Sequence, residues 1–135
     1  PRSTQGVSSA ASDVYKRQLR VLELGSGVGL VALALACRGA NVVATERAIA
    51  LPLLEKNVAA NADLFATENV TVAPLSWGAA YGGSADVVLG SDVTYSPSAH
   101  APLCATLADV LARFDARSDA SRAAQRFLYG DGMLA

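Results

Sequence analysis

Residues 20–46 read RVLELGSGVGLVALALACRGANVVATE. The segment opens on RVLEL, a short apolar run that stops at a glycine cluster and so reads as a buried strand. The next run, LVALALACR at 30–38, is apolar nearly all round and rich in helix formers, which predicts a helix packed on a sheet and closed by Gly39. NVVAT at 41–45 is a second β-branched run, with Glu46 at its end. Strand, glycine turn, helix and strand in that order make a βαβ unit, whose two strands lie parallel.

The same alternation continues downstream. Residues 48–63 carry Leu51, Leu54, Val58 and Ala62 at helical spacing, with Pro52 near the first turn, where its missing N–H is tolerated. NVTVA at 69–73 and ADVVLG at 85–90 read as a third and a fourth strand. Residues 98–114 predict a helix with Leu103, Leu107, Val110, Leu111 and Phe114 on one face. The polar stretch at 115–125 reads as a loop, and RFLY at 126–129 as a fifth strand. The expectation is one α/β domain with a parallel sheet and helices on both faces.

Composition narrows the function classes. The chain has 135 residues, 52% hydrophobic and 17% charged, with a net charge of −1. That is too apolar for a disordered chain, and it lacks the basic field of a phosphate-gripping nucleic-acid binder. Two cysteines and one histidine, with no CxxC, leave neither a zinc cluster nor a disulfide scaffold, so no metal is expected. Cys37 and Cys104 are read as helix core residues, His100 as a surface residue. The longest apolar run, 28–37, falls short of the roughly 20 residues a membrane span needs.

Two features point to a ligand. Glycines in Glu23-Leu24-Gly25-Ser26-Gly27-Val28-Gly29 let a backbone approach a ligand closely, and the following helix start offers free N–H groups. The dinucleotide pattern GxGxxG is not met, because Leu30 holds its last glycine position, and that disfavours a pyrophosphate. Glu46 lies about 20 residues on, where a carboxylate can accept both hydroxyls of a ribose. Loop and acid together propose an adenosine-type ligand at the carboxyl ends of the strands.

These residues resemble the first two motifs of the Rossmann-like, seven-β-strand methyltransferases that use S-adenosylmethionine. Three further elements are similar to the family 16 protein methyltransferases. They are Ala48-Ile49-Ala50-Leu51-Pro52-Leu53-Leu54-Glu55-Lys56-Asn57-Val58-Ala59-Ala60-Asn61, Leu75-Ser76-Trp77-Gly78, and Leu89-Gly90-Ser91-Asp92-Val93-Thr94-Tyr95 with its D-x-x-Y signature. The glycine loop is common to many methyltransferases, whereas the W-G and D-x-x-Y pair in this order is much more specific.

The resemblance implies a role for each matching residue. Glu23, Gly25, Ser26, Gly27 and Gly29 would form the loop around the methionine part of S-adenosylmethionine. Glu46 would take the ribose, Trp77 would lie beside the adenine, and Ser91 would line the same site. Asp92 and Tyr95 would hold the substrate side chain near the methyl group, as the catalytic pair. The implied activity is methylation of a protein side chain, lysine first, in the cytoplasm. A small-molecule methyltransferase, an NAD oxidoreductase and a catalytically silent Rossmann-like interaction module stay open as alternatives.

Residues 8–18, SSAASDVYKRQ, match codon for codon the translation of a sequencing-library adapter, and residues 1–7 fit its upstream part. Residues 1–18 are therefore expected to be a non-native tail. Residues 19–135 are then a partial methyltransferase domain, truncated at its N-terminus and, because it stops after the expected fifth strand, at its C-terminus too.

Overall fold

The structure, a computed structural model, describes residues 19–113. Four strands form one sheet: β1 (Arg20–Leu24), β2 (Asn41–Glu46), β3 (Val70–Pro74) and β4 (Val87–Leu89). Their spatial order is β3-β2-β1-β4, and every pairing is parallel, with Arg20 opposite Asn41, Val21 opposite Val87 and Val42 opposite Val70. Among the described residues, α1 (Leu30–Ala36) joins β1 to β2, α2 (Leu51–Ala60) lies between β2 and β3, and α3 (His100–Leu111) follows β4. The expected fifth strand at 126–129 lies outside the described residues, as does the segment at 1–18.

β1 is central and covered on both faces, which is why its sequence is almost continuously apolar rather than alternating. Val21 packs with Ala32 and Ala36 of α1, Leu54 of α2, and Val42, Ala44 and Val70 of the neighbouring strands. Leu22 and Leu24 point the other way, to Leu75, Ala85 and the α3 residues Leu103 and Val110. Side chains alternate along a strand, so α1 and α2 cover one face and α3 the other. Leu22, Leu24 and Leu54 are essentially inaccessible, and each such side chain contributes about 1.5–3 kcal/mol by leaving water.

The helices are shorter than their periodicity predicts. α2 ends at Ala60, where Asn61 Nδ2 donates to the Asn57 carbonyl at 2.8 Å, and a separate 3-10 turn at Ala62–Leu64 follows. α3 is preceded by a 3-10 turn at Pro97–Ala99, with Pro97 at its first position. α1 has only seven residues, so the N-terminal dipole invoked for a longer helix has little length to act over.

Both cysteines are exposed and free, which corrects their assignment to the core. α1 presents Ala32 and Ala36 to the sheet, and Cys37, one residue on, is rotated by about a quarter turn away from it. α3 buries Leu103, Thr106 and Val110, which leaves Cys104 on the outer side. Both thiols of the folded protein are therefore expected to react with a thiol reagent within minutes. Reaction only after denaturant is added would contradict the placement.

Candidate functional site at the carboxyl edge of the sheet

All four strands run the same way, so the loops that leave their carboxyl ends gather along one edge. That edge is where open α/β sheets bind ligands. The turn after β1 is held against β2: Ser26 N donates to the Thr45 carbonyl at 2.8 Å, and Thr45 Oγ1 donates to the Glu23 carbonyl at 2.6 Å. Glycine is required twice in this turn. A Cβ at Gly25 (φ +68°) would lie 3.2 Å from Trp77 Cζ2 and 3.3 Å from Val93 Cγ1. A Cβ at Gly29 (φ +89°) would lie 2.7 Å from Leu54 Cδ1. The first contact brings the loops after β3 and β4 onto the glycine turn. The second seats the turn on α2, where Asn57 Nδ2 also donates to the Val28 carbonyl at 2.8 Å.

The acids of the edge differ in their surroundings. Glu23 is 2% exposed, and its Oε2 finds no hydrogen-bond partner. Burial pushes the Glu23 carboxyl above its ordinary value, against a smaller opposing pull from Ser26 and the Ala32 backbone. Glu46 accepts the N–H of Gly27 at 3.2 Å and that of Arg47 at 2.8 Å, with Arg47 Nε 3.8 Å away. Two N–H groups occupy two of a carboxylate's roughly four lone-pair sites, so Glu46 keeps acceptor capacity for a diol.

Asp92 and Tyr95 lie on the loop after β4, and both are exposed. Gly90 sits close to the Leu24 carbonyl and to Val93, which places this loop over the end of β1. Asp92 is the one described non-glycine residue with positive φ, at 55°, a conformation that Asp tolerates better than most residues. Tyr95 is 73% exposed. His100 Nε2 is 2.8 Å from the Thr94 carbonyl, so the ring's Nε2–H ties the start of α3 to the residue before Tyr95. Ser91 is exposed on the same loop, and Trp77 is half-buried among Leu22, Leu24 and Leu75.

The structure thus brings Gly25, Ser26, Gly27, Glu46, Trp77 and the 90–93 loop to one edge, with Glu23 beneath the turn. Tyr95, on the same loop, is exposed. Sequence reasoning missed Asn57 and Thr106 as supports of these loops. Asn57 lies inside the family-like run at 48–61, while nothing local marks Thr106.

S-adenosylmethionine fits these residues. It carries positive charge at sulfur and at its amino group against a single carboxylate, a net cation, and the edge carries Glu23, Glu46 and Asp92 against Arg47. A pyrophosphate would meet the same carboxylates as like charges. The buried Glu23 Oε2, which has no partner, is an unmet polar demand that an ammonium-bearing ligand would satisfy. Among the described residues no group of three or more His, Cys, Asp or Glu is placed to hold a metal ion. No described helix is long and apolar enough to cross a membrane.

The chain is similar to proteins of known family. Protein N-lysine methyltransferase METTL21A of Danio rerio is 39% identical over 92 residues, covering 65% of this chain and 42% of the relative. The Mus musculus METTL21A is 37% identical over 98 residues, 70% of this chain and 45% of the relative. The EEF1A lysine methyltransferase 3 of Mus musculus is 35% identical over 88 residues, 63% and 37%. The chain thus spans less than half the length of these curated relatives.

Among solved structures, the S-adenosylmethionine-dependent methyltransferase SibL in its apo form superposes with a TM-score of 0.56 at 26% identity, over 75% of this chain and 30% of that one. The glycopeptide N-methyltransferase MtfA gives 0.58 at 22% identity, over 78% and 46%, a likeness of fold alone. The profile of the lysine methyltransferase family matches residues 4–117, beginning inside the segment read as adapter. With its glycine turn, its W-G and D-x-x-Y loops on one sheet edge, and S-adenosylmethionine as the cofactor that fold and family imply, the chain belongs to the lysine methyltransferase family.

Proposed function

We propose that this chain is the cofactor-binding part of an S-adenosylmethionine-dependent methyltransferase that methylates lysine on a protein, in the cytoplasm. The observation that carries the reading is the carboxyl edge itself, where the glycine turn, Glu46, Trp77 and the D-x-x-Y loop meet. The free, exposed Cys37 and Cys104 suit a reducing compartment.

S-adenosylmethionine, when bound, supplies a methyl group on a positively charged sulfur. The protein's part is alignment and exclusion of water. The turn at 25–29 and Glu46 bind, and Trp77 offers a flat apolar face to an adenine. A lysine attacks as the neutral amine, yet a nearby carboxylate favours its ammonium form. Asp92 is therefore a group that draws in and orients the amine, not a strong base. The Tyr95 ring, on the same loop, flanks a cation by attraction to its face.

Asp92→Asn tests this assignment cleanly, because Asn tolerates the same left-handed backbone and only the charge is lost. The expected result is a loss of transfer to a lysine-bearing protein of about 100-fold, with cofactor affinity changed less than about twofold. Tyr95→Phe keeps the ring and should lose much less. Mouse EEF1A lysine methyltransferase 3 is named for EEF1A, which makes EEF1A the first acceptor to try. Unchanged transfer by Asp92→Asn would remove Asp92 from the site. Absence of transfer by the unaltered chain, with cofactor bound, would favour a silent module. We also propose that residues 1–18 take no part in binding, so that a chain beginning at Leu19 binds the cofactor equally well.

A further inference from the structure

Thr106 is a polar residue in the middle of α3 with no accessible surface. A hydroxyl buried that completely needs partners, and its partners lie outside the helix. Thr106 Oγ1 accepts the N–H of Gly78 at 2.8 Å and donates to the Ala79 carbonyl at 3.3 Å. One hydroxyl therefore grips two peptide units of the loop after β3, Trp77-Gly78 and Ala79-Ala80. Three residues further along α3, Asp109 Oδ2 accepts the N–H of Tyr81 at 3.0 Å, so the same helix holds the loop at a second point.

The gripped peptide adjoins Trp77. The ring of Trp77 approaches the glycine turn so closely that a Cβ at Gly25 would stand 3.2 Å from Cζ2. The Gly78 N–H belongs to the Trp77-Gly78 peptide, so the atom that Thr106 holds lies on the backbone that carries the ring. We propose that Thr106 is a positioning residue for the cofactor: its buried hydroxyl fixes the Trp77-Gly78 peptide and so sets the indole against the glycine turn. The inference rests on the functional reading above, because it assigns the cofactor's adenine side to Trp77.

Thr106→Val keeps the shape and removes the hydroxyl, leaving the Gly78 N–H without its acceptor. Thr106→Ser keeps the hydroxyl. Trp77 is the only tryptophan in the chain, so its emission reports the ring directly. At a temperature well below unfolding, Thr106→Val should shift the Trp77 emission of the ligand-free protein. It should also weaken S-adenosylmethionine, titrated by calorimetry, by about tenfold, the factor equal to ~1.4 kcal/mol. Thr106→Ser should restore both to within about twofold.

A folded Thr106→Val protein with unaltered emission and unaltered affinity would overturn the inference. Should that variant not fold, amide exchange at Gly78 in the unaltered protein decides: strong protection is expected, and exchange at the rate of an open loop would overturn it. Failure of the unaltered protein to take up the cofactor would sink the functional reading, whereas emission and exchange would still decide whether Thr106 holds Trp77.

Discussion

Glu23→Gln is expected to make the ligand-free protein more stable at pH 7 and its hold on S-adenosylmethionine weaker. Glu23 is 2% exposed beneath the glycine turn, and desolvation raises its carboxyl above the ordinary value. A raised acid binds its proton more tightly in the folded state than in the unfolded one. Its contribution to stability is full below the unfolded pKa of about 4.3 and is lost as pH rises through the folded value. Above that range the protein carries the cost of an acid held in a dry site, which Gln removes. The gain should shrink as pH is lowered towards 4.3, in thermal melts at pH 7 and pH 5. The opposite change is expected in binding. A charge-assisted hydrogen bond from an ammonium contributes about 1.5–3 kcal/mol, so affinity should fall by about 10- to 100-fold. Equal destabilisation at both pH values, with affinity intact, would make Glu23 an ordinary structural residue.

Asp86→Ala should cause the largest loss of stability, at the opposite end of the sheet. Asp86 is 4% exposed, and it accepts from Arg20 three times: backbone N and Nε at 3.0 Å to Oδ2, and Nη2 at 2.7 Å to Oδ1. Its own N–H donates to the Arg20 carbonyl at 2.8 Å. The pair clasps the start of β1 to the residue before β4. Removing one partner of a fully buried pair costs about 3–5 kcal/mol. The Arg20 side chain is 38% exposed and can regain water, so the lower figure, about 3 kcal/mol, applies. In a domain of this size that lowers Tm on the order of 10 °C or more. Cofactor affinity of the remaining folded protein should not change, because Asp86 lies away from the carboxyl edge. A comparable loss of affinity would mean that the two ends of β1 are coupled.

The contrast between these two acids shows what a sequence makes legible. Residues 20–24 read as a strand and form one, because a central parallel strand is buried on both faces and its whole run is apolar. Glu23 was marked by its place in a glycine motif. Asp86 stands inside the run that reads as the fourth strand, and nothing local marks it, since its partner Arg20 lies 66 positions away. Thr106 is the same case, its partner Gly78 being 28 positions away. Cys37 was misplaced because a helix apolar nearly all round does not reveal which side meets the sheet. Small Ala32 and Ala36 take that side, where close approach needs little volume. The three further residues expected of α2 are lost at Asn61, whose side chain bonds backward to Asn57 where the helix ends.

The central claim is that this edge binds S-adenosylmethionine, and calorimetric titration of that cofactor into the protein, with NADH as the control, tests it most directly. Saturable heat with one equivalent of S-adenosylmethionine and none with NADH is the predicted result. A folded protein that takes up NADH, or neither ligand, would contradict it.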